Sequence, residues 1–265
     1  MQIHKVVFAC LLSTVICFEQ CALAQSRQDE GARRCSDAVV ERLGKHFRLS
    51  HFAYPEQGMY PSVENGGLLV AGTCKPWPTD DKSKIIAAFA YDGGTEDEKQ
   101  LLLAVVEGSS NRVIASYKSV IPEDAATEVS SHSLKLDTAR YTLSKETRAF
   151  GLRINTFRER CIYEGGLNDE LTLFVVDGQT IRPVLTETMN HWSYDAGNRC
   201  SGEDVPRTEA NVLISVEPTV SNGFADLRLT AIRGDKKNPV SSIVKYNGER
   251  YDLKPWSSAF GAWWK

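Results

Sequence analysis

From Leu68 onward the chain consists of short apolar segments separated by polar loops, which is the pattern of an antiparallel β protein. The run Leu101–Val106 has no polar face, so we expect it to be central in its sheet. The segments predicted as strands form three groups of four: Leu68–Cys74, Ile85–Tyr91, Leu101–Val106 and Val113–Tyr117; Ser133–Asp137, Arg148–Ile154, Leu171–Val176 and Thr180–Leu185; Val212–Glu217, Ala225–Ile232, Ser242–Tyr246 and Arg250–Leu253.

Two of these strands alternate between apolar and polar residues, as a sheet with one solvent-exposed face requires. The residues predicted to face inward are Phe150, Leu152 and Ile154 in one strand, and Leu227, Leu229 and Ala231 in the other. The residues predicted to face solvent are Arg148, Arg153, Asp226, Arg228 and Thr230. Because Pro183 cannot donate a backbone hydrogen bond, Thr180–Leu185 is predicted to be an edge strand.

The third strand of each group recurs at an offset of 70 residues and ends in a turn signal. The three signals are Glu107-Gly108, Asp177-Gly178 and Asn247-Gly248. Glycine and asparagine tolerate the positive φ of tight hairpin turns. We therefore predict a hairpin at each signal and a central position for the strand before it.

The one predicted helix covers Cys35–Phe47, where apolar residues recur at helical spacing and Ser36-Asp37 offers an N-cap. Together these patterns predict an all-β fold of antiparallel four-stranded meander units, propeller-like or alternatively a β-sandwich, with one short N-terminal helix. The stretch Tyr91-Asp92-Gly93-Gly94 leading into LLLAVVEG resembles the FG-GAP, integrin-type propeller blade. The Asp-x-Asp-x-Asp-Gly calcium loop of such blades is missing, so no functional residue is carried over from the resemblance.

Residues 1–24 have the features of a cleaved signal peptide. Lys5 precedes the apolar run Val6–Phe18, which is too short to span a bilayer, and Ala22-Leu23-Ala24 fits a signal peptidase site. We expect residues 25–265 to form a single disulfide-stapled β domain in the periplasm or outside the cell. Its net charge stays at −3, which argues against nucleic acid or anionic lipid as a partner, and no later segment is apolar enough to span a membrane.

Four cysteines remain in the mature chain, namely Cys35, Cys74, Cys161 and Cys200. An even number of cysteines in an exported protein indicates disulfides. We predict the pairs Cys35–Cys74 and Cys161–Cys200, because each closes the shortest available loop without crossing the other. Zinc would favour close pairs of the C-x2-C type, which the sequence lacks.

No known catalytic or phosphate-binding motif is present, so we assign no catalytic, cofactor-binding or metal-binding residue. The histidines His46, His51, His132 and His191 are scattered and are expected at the surface or in caps. The acidic run Asp92–Glu98 has the charge to bind calcium, but its spacing is not that of an EF-hand, and a solvated loop is the simpler interpretation.

Aromatic residues form two clusters. One is C-terminal, with Trp256, Phe260, Trp263 and Trp264; the other comprises Tyr163, His191, Trp192 and Tyr194 near the second cysteine pair. Such residues anchor binding surfaces, although the C-terminal tail is more simply interpreted as packing onto the sheet.

We expect a non-enzymatic exported protein that binds another protein or cell-envelope polymer, for example as an inhibitor or immunity-type protein. A secreted hydrolase with an unrecognised carboxylate pair and a structural envelope component are the alternatives. A pocket with two carboxylates, one of raised pKa, would favour the hydrolase.

Overall fold

The computed structural model describes residues 34–56, 67–78, 83–201 and 205–265. The predicted signal peptide, residues 1–24, lies outside the described residues. The helices are α1 (Asp37–Phe47) and α2 (Lys254–Trp264). The strands are β1 (Leu69–Pro76), β2 (Lys84–Asp92), β3 (Glu98–Glu107), β4 (Val113–Pro122), β5 (Leu134–Thr142), β6 (Arg148–Ile154), β7 (Gly165–Asp177), β8 (Thr180–Tyr194), β9 (Arg207–Ser221), β10 (Phe224–Arg233) and β11 (Val240–Val244).

The predicted all-β fold of four-stranded meander units is confirmed. Strands β1–β4 form one antiparallel meander and β5–β8 form a second. The two meanders join through a parallel contact of β4 with β8, giving the order β1-β2-β3-β4-β8-β7-β6-β5 within one sheet. A propeller would instead keep its four-stranded units as separate sheets.

The sheet curls so that β1 and β5, at its two ends, approach each other without pairing, and it is not a closed barrel. Its concave side holds an apolar cluster that includes Leu103, Phe150 and Phe174. On the convex side of β1–β3, α1 covers a second cluster with Val39 and Leu43. The strand β3 lies between these two clusters, so both faces of Leu101–Val106 are buried, as predicted.

The third core cluster lies on the convex side of β5–β8, where β9–β11 and α2 cover it. Leu227, Leu229 and Ala231 are fully buried there, which confirms the predicted inward face of β10. Asp226 is wrongly predicted to face solvent, because a bulge between Ala225 and Leu227 shifts the alternation and leaves it 3% exposed. Thr219 Oγ1 donates a hydrogen bond to the buried Asp226 Oδ2.

The three turn predictions have different outcomes. Gly178 has φ of 60° in a tight β7–β8 hairpin, and Gly248 has φ of 104° in a turn that pairs Tyr246 with Tyr251. The β3–β4 hairpin also forms, but its positive φ falls on Asn111, since the loop is longer than two residues.

Three predictions about strand positions need correction. The strand β11 pairs only with β10 and is an edge, not a central strand. The predicted strand Arg250–Leu253 contributes one isolated bridge, because the helix α2 begins at Lys254, immediately after it. The strand β8 pairs on both sides overall, although between Ile181 and Met189 it pairs with β7 alone, so Pro183 does lie at a local edge.

Candidate functional site

Both predicted disulfides are present. Cys35 and Cys74, with Cα atoms 5.0 Å apart, join the segment that precedes α1 to β1 inside the cluster that α1 covers. Cys161 and Cys200 are exposed, with Cα atoms 4.8 Å apart, and they join the loop before β7 to the loop after β8. These bridges stabilise the scaffold and leave no free thiol among the four cysteines of the described residues.

The C-terminal aromatic residues pack against the protein, as the simpler interpretation of the sequence expects, but they do so as the helix α2. Trp256 is 1% exposed, and its indole hydrogen-bonds the half-buried carboxylate of Glu187. Phe260 packs against the ring of His191 at 4.5 Å between centroids, and burial lowers the pKa of that histidine.

The second aromatic cluster is also part of the packing. Trp192 is 2% exposed beneath Phe157, and the Arg207 guanidinium stacks 4.5 Å from the Trp192 ring centroid. Glu159 accepts hydrogen bonds from Tyr194 Oη and Arg207 Nη1 at 3.1 Å each. Because Trp192, Tyr194 and Arg207 already make these contacts within the chain, less of their surface and hydrogen-bonding capacity remains for a partner.

Asp92, the first carboxylate of the acidic run, lies near Lys99. Asp92 is 1% exposed and accepts a hydrogen bond from the Gly94 amide, while Lys99 Nζ lies 3.0 Å from Glu123 Oε2 and 3.9 Å from Asp92 Oδ2. Within the described ranges no three His, Cys, Asp or Glu side chains are grouped as a metal site would require. The histidines His46, His51 and His132 are exposed and scattered.

A cleft opens where β4 and β8 separate. Ser116 and Thr180 are the only residues that these strands pair, and beyond them the strands diverge. The space between them has a volume of about 320 Å³. We call it the β4–β8 cleft; its lining residues are Val120, Ile121, Pro122, Asp124, Thr127, Ile154, Thr156, Leu167, Asn168, Asp169, Glu170 and Thr188.

Apolar side chains form both the base and the rim of the β4–β8 cleft. Ile121 is buried and Ile154 is half-buried, both packed with the concave-side cluster. Val120 and Leu167, in contrast, are 46% and 58% exposed. Exposed aliphatic side chains beside a concave site contribute contact area to a ligand or partner.

The three carboxylates of the cleft are held differently. Asp124 accepts hydrogen bonds from the amides of Ala126 and Thr127, and these bonds lower its pKa. Asp169 forms an ion pair with Arg153. Glu170 stands at the exposed rim, where partial burial raises its pKa.

Asn168 adds an unused hydrogen-bonding group to the β4–β8 cleft. Its Oδ1 atom is buried and has no hydrogen-bond partner among the described residues. A buried amide oxygen without a partner costs free energy, so a donor supplied by a bound molecule would be stabilised there.

This arrangement bears on the choice between hydrolase and binding protein. Carboxylate catalysis needs a second carboxyl group free to act as base or nucleophile. Asp124 accepts the hydrogen bonds of a turn and Asp169 is paired with Arg153, which leaves Glu170, among the described cleft residues, as the carboxyl group with neither an ion pair nor a side-chain hydrogen bond. The described lining of the β4–β8 cleft therefore presents one carboxyl group free of such contacts, not two.

A second recess, of about 400 Å³, lies around Lys75, Lys135 and Arg153. Arg153 is already held by two carboxylates, Asp137 and Asp169. We take the β4–β8 cleft as the candidate functional site, because it combines exposed apolar side chains with the buried, unpartnered Oδ1 atom of Asn168.

A scan against protein-family models finds no match, and searches of curated proteins and of solved structures likewise find no similar protein. Neither helix in the described part of the chain is long and apolar enough to cross a membrane. The fold and the cleft are thus the basis for inferring function.

Proposed function

We propose that this protein is an exported, non-enzymatic binding protein that holds another envelope macromolecule, as an inhibitor or immunity-type protein does. The observation that carries the proposal is the β4–β8 cleft, where the exposed Val120 and Leu167 flank a recess with partly unsatisfied polar groups. A disulfide-stapled β scaffold keeps such a site rigid, which reduces the entropy lost on binding.

Affinity capture from an envelope extract tests this proposal. The bait is the mature chain, and the cleft variant carries Val120→Lys and Leu167→Lys. The control carries Leu213→Lys and Ile232→Lys, at positions that are 54% and 49% exposed away from the cleft. We expect the wild type and the control to retain the same partner and the cleft variant to lose it; equal retention by all three contradicts the proposal.

Export is a separate part of the proposal. It is supported by the features of residues 1–24 and by two disulfides, which persist in oxidising compartments. The intact mass of the natural product should correspond to a chain starting at Gln25. A reduced chain that still starts at Met1 in the cytosol would contradict it.

A secreted hydrolase is the second candidate, favoured by two neighbouring carboxyl groups with raised pKa: burial raises the pKa of Glu170, and burial together with the Glu170 charge raises that of Glu187. If Glu170 is a general acid, Glu170→Gln should lower turnover of a cell-wall polymer by a factor of about 10²–10⁴. Absence of turnover by the wild-type protein, or equal turnover by the variant, would exclude this role.

A further inference from the structure

We propose that the partner binds as an extended basic segment that adds a strand to β4 inside the β4–β8 cleft. This inference rests on the proposed function and specifies how the partner is recognised. It is carried by two independent features, the free edge of β4 and the charge of the cleft.

Among the described residues, the edge of β4 that faces away from β3 has no strand partner from Tyr117 to Ile121. On its other side β4 pairs with β3 as far as Pro122, and its pairing with β8 is limited to Ser116. In an antiparallel pair, backbone N–H and C=O groups point alternately toward the partner and away from it. The groups of Tyr117–Ile121 that point away from β3 can therefore pair with an added strand.

The edge of β8 that follows Thr180 is less suited to strand addition. Pro183 of β8 has no N–H, and the Val184 carbonyl already accepts a hydrogen bond from the Tyr251 amide at 2.8 Å. We therefore place the added strand on β4. The Lys118 ammonium lies 4.5 Å from the Phe47 ring centroid, on the side of α1, so it does not cover the free edge.

Charge complementarity selects a basic segment. Asp124, Asp169 and Glu170 line the cleft, and none of its twelve lining residues is a lysine or arginine. Asp169 is paired with Arg153 from outside the lining, so the uncompensated negative charge comes from Asp124 and Glu170, which have no ion pair among the described residues. Side chains of a strand alternate between two directions, so alternating apolar and basic residues would contact Val120 and Leu167 as well as the carboxylates. An acidic segment would bring like charges together and be rejected.

A defined peptide tests this mode with the full mature protein. The probe is a fluorescein-labelled, end-capped (Val-Lys)4 peptide, measured by fluorescence anisotropy at low salt. The controls are (Val-Glu)4 and a (Val-Lys)4 peptide with alternate backbone nitrogens methylated. We expect each control to bind at least about tenfold more weakly, because one lacks complementary charge and the other lacks strand hydrogen bonds.

Two further measurements locate the binding. Glu170→Gln should lower the affinity for the (Val-Lys)4 peptide by about three- to tenfold. Asp177→Asn, outside the cleft, should leave this affinity unchanged. Hydrogen exchange should slow at Tyr117–Ile121 on peptide binding and stay unchanged at β11. Equal affinity for the methylated peptide, or unchanged exchange at β4, would overturn strand addition.

These outcomes are separate from those of the capture experiment. If partner capture depends on Val120 and Leu167 but exchange at β4 does not change, the proposed function stands and strand addition is wrong. If capture does not depend on the cleft, both proposals are wrong.

Discussion

The two meanders meet at Ser116 of β4 and Thr180 of β8. A hydrogen bond between Ser116 and the turn before Thr180 holds this pair together. The Ser116 amide donates a 3.1 Å hydrogen bond to the carbonyl of Gln179, directly after Gly178 in the β7–β8 hairpin. The hairpin turn therefore sets where β4 and β8 join and where the cleft between them begins.

Gly178→Val should destabilise the protein because of this turn. Gly178 has φ of 60°, and a Cβ there would meet nothing within 4 Å, so the cost is that of the backbone conformation alone. We expect a loss of about 1–2 kcal/mol in the free energy of unfolding, measured by urea titration. The control is Gly234→Val, at an equally open site without positive φ, and an equal effect of both changes would contradict this explanation.

Leucine-to-alanine changes test the two central strands. Leu103 of β3 and Leu173 of β7 are both fully buried, in the concave-side and convex-side clusters respectively. Each change to alanine should lower the free energy of unfolding by about 2–5 kcal/mol. Leu213→Ala, at a position 54% exposed, should change it by less than about 0.5 kcal/mol. Urea midpoints that do not distinguish the three variants would show that these strands are not core.

The sequence predicts the core better than it predicts the cleft. The apolar run of β3 and the alternation of β10 depend on local patterns, and both are found. The cleft could not be predicted, because β4, β6, β7 and β8 supply its residues from distant parts of the chain. The strand β8 continues to Tyr194, beyond the predicted end at Leu185, because the residues after Leu185 are mostly polar and do not show a strand pattern.

The helix α2 is not among the predicted elements, although its residues are adjacent in sequence and carry a local helical pattern. Trp256, Phe260 and Trp263 follow the helical spacing i, i+4, i+7, and Pro255 is suited to a first helical turn. The aromatic composition of the segment indicates that it packs onto the sheet, and this interpretation does not specify a helix. The spacing of these aromatic residues was therefore sufficient to predict the helix α2 from the sequence.

The two disulfides should differ in their resistance to reduction. Cys35 and Cys74 are 2% and 9% exposed, whereas Cys161 and Cys200 are both exposed. Thiol–disulfide exchange requires access of the attacking thiolate to sulfur. Mild dithiothreitol under native conditions should reduce Cys161–Cys200 first, as followed by alkylation and peptide mapping. Earlier reduction of Cys35–Cys74 would contradict the burial of α1 against β1.

The raised pKa of Glu170 predicts a pH-dependent effect of its removal. Because the pKa is higher in the folded than in the unfolded state, ionisation of Glu170 disfavours folding as the pH rises through the folded-state pKa. Glu170→Gln should therefore raise the thermal midpoint relative to wild type at pH 7. The difference should vanish below the ordinary glutamate pKa of about 4.3. A pH-independent difference would show that Glu170 is not desolvated in the folded protein.

Site-specific photocrosslinking in the intact cell envelope tests the cleft most directly. Benzoylphenylalanine is placed at Val120 or Leu167 in the cleft, and at Leu213 or Ile232 as exposed controls. We predict that the cleft positions crosslink to one common partner and the control positions do not. Crosslinks to that partner from Leu213 or Ile232 but not from Val120 or Leu167 would contradict a binding site between β4 and β8.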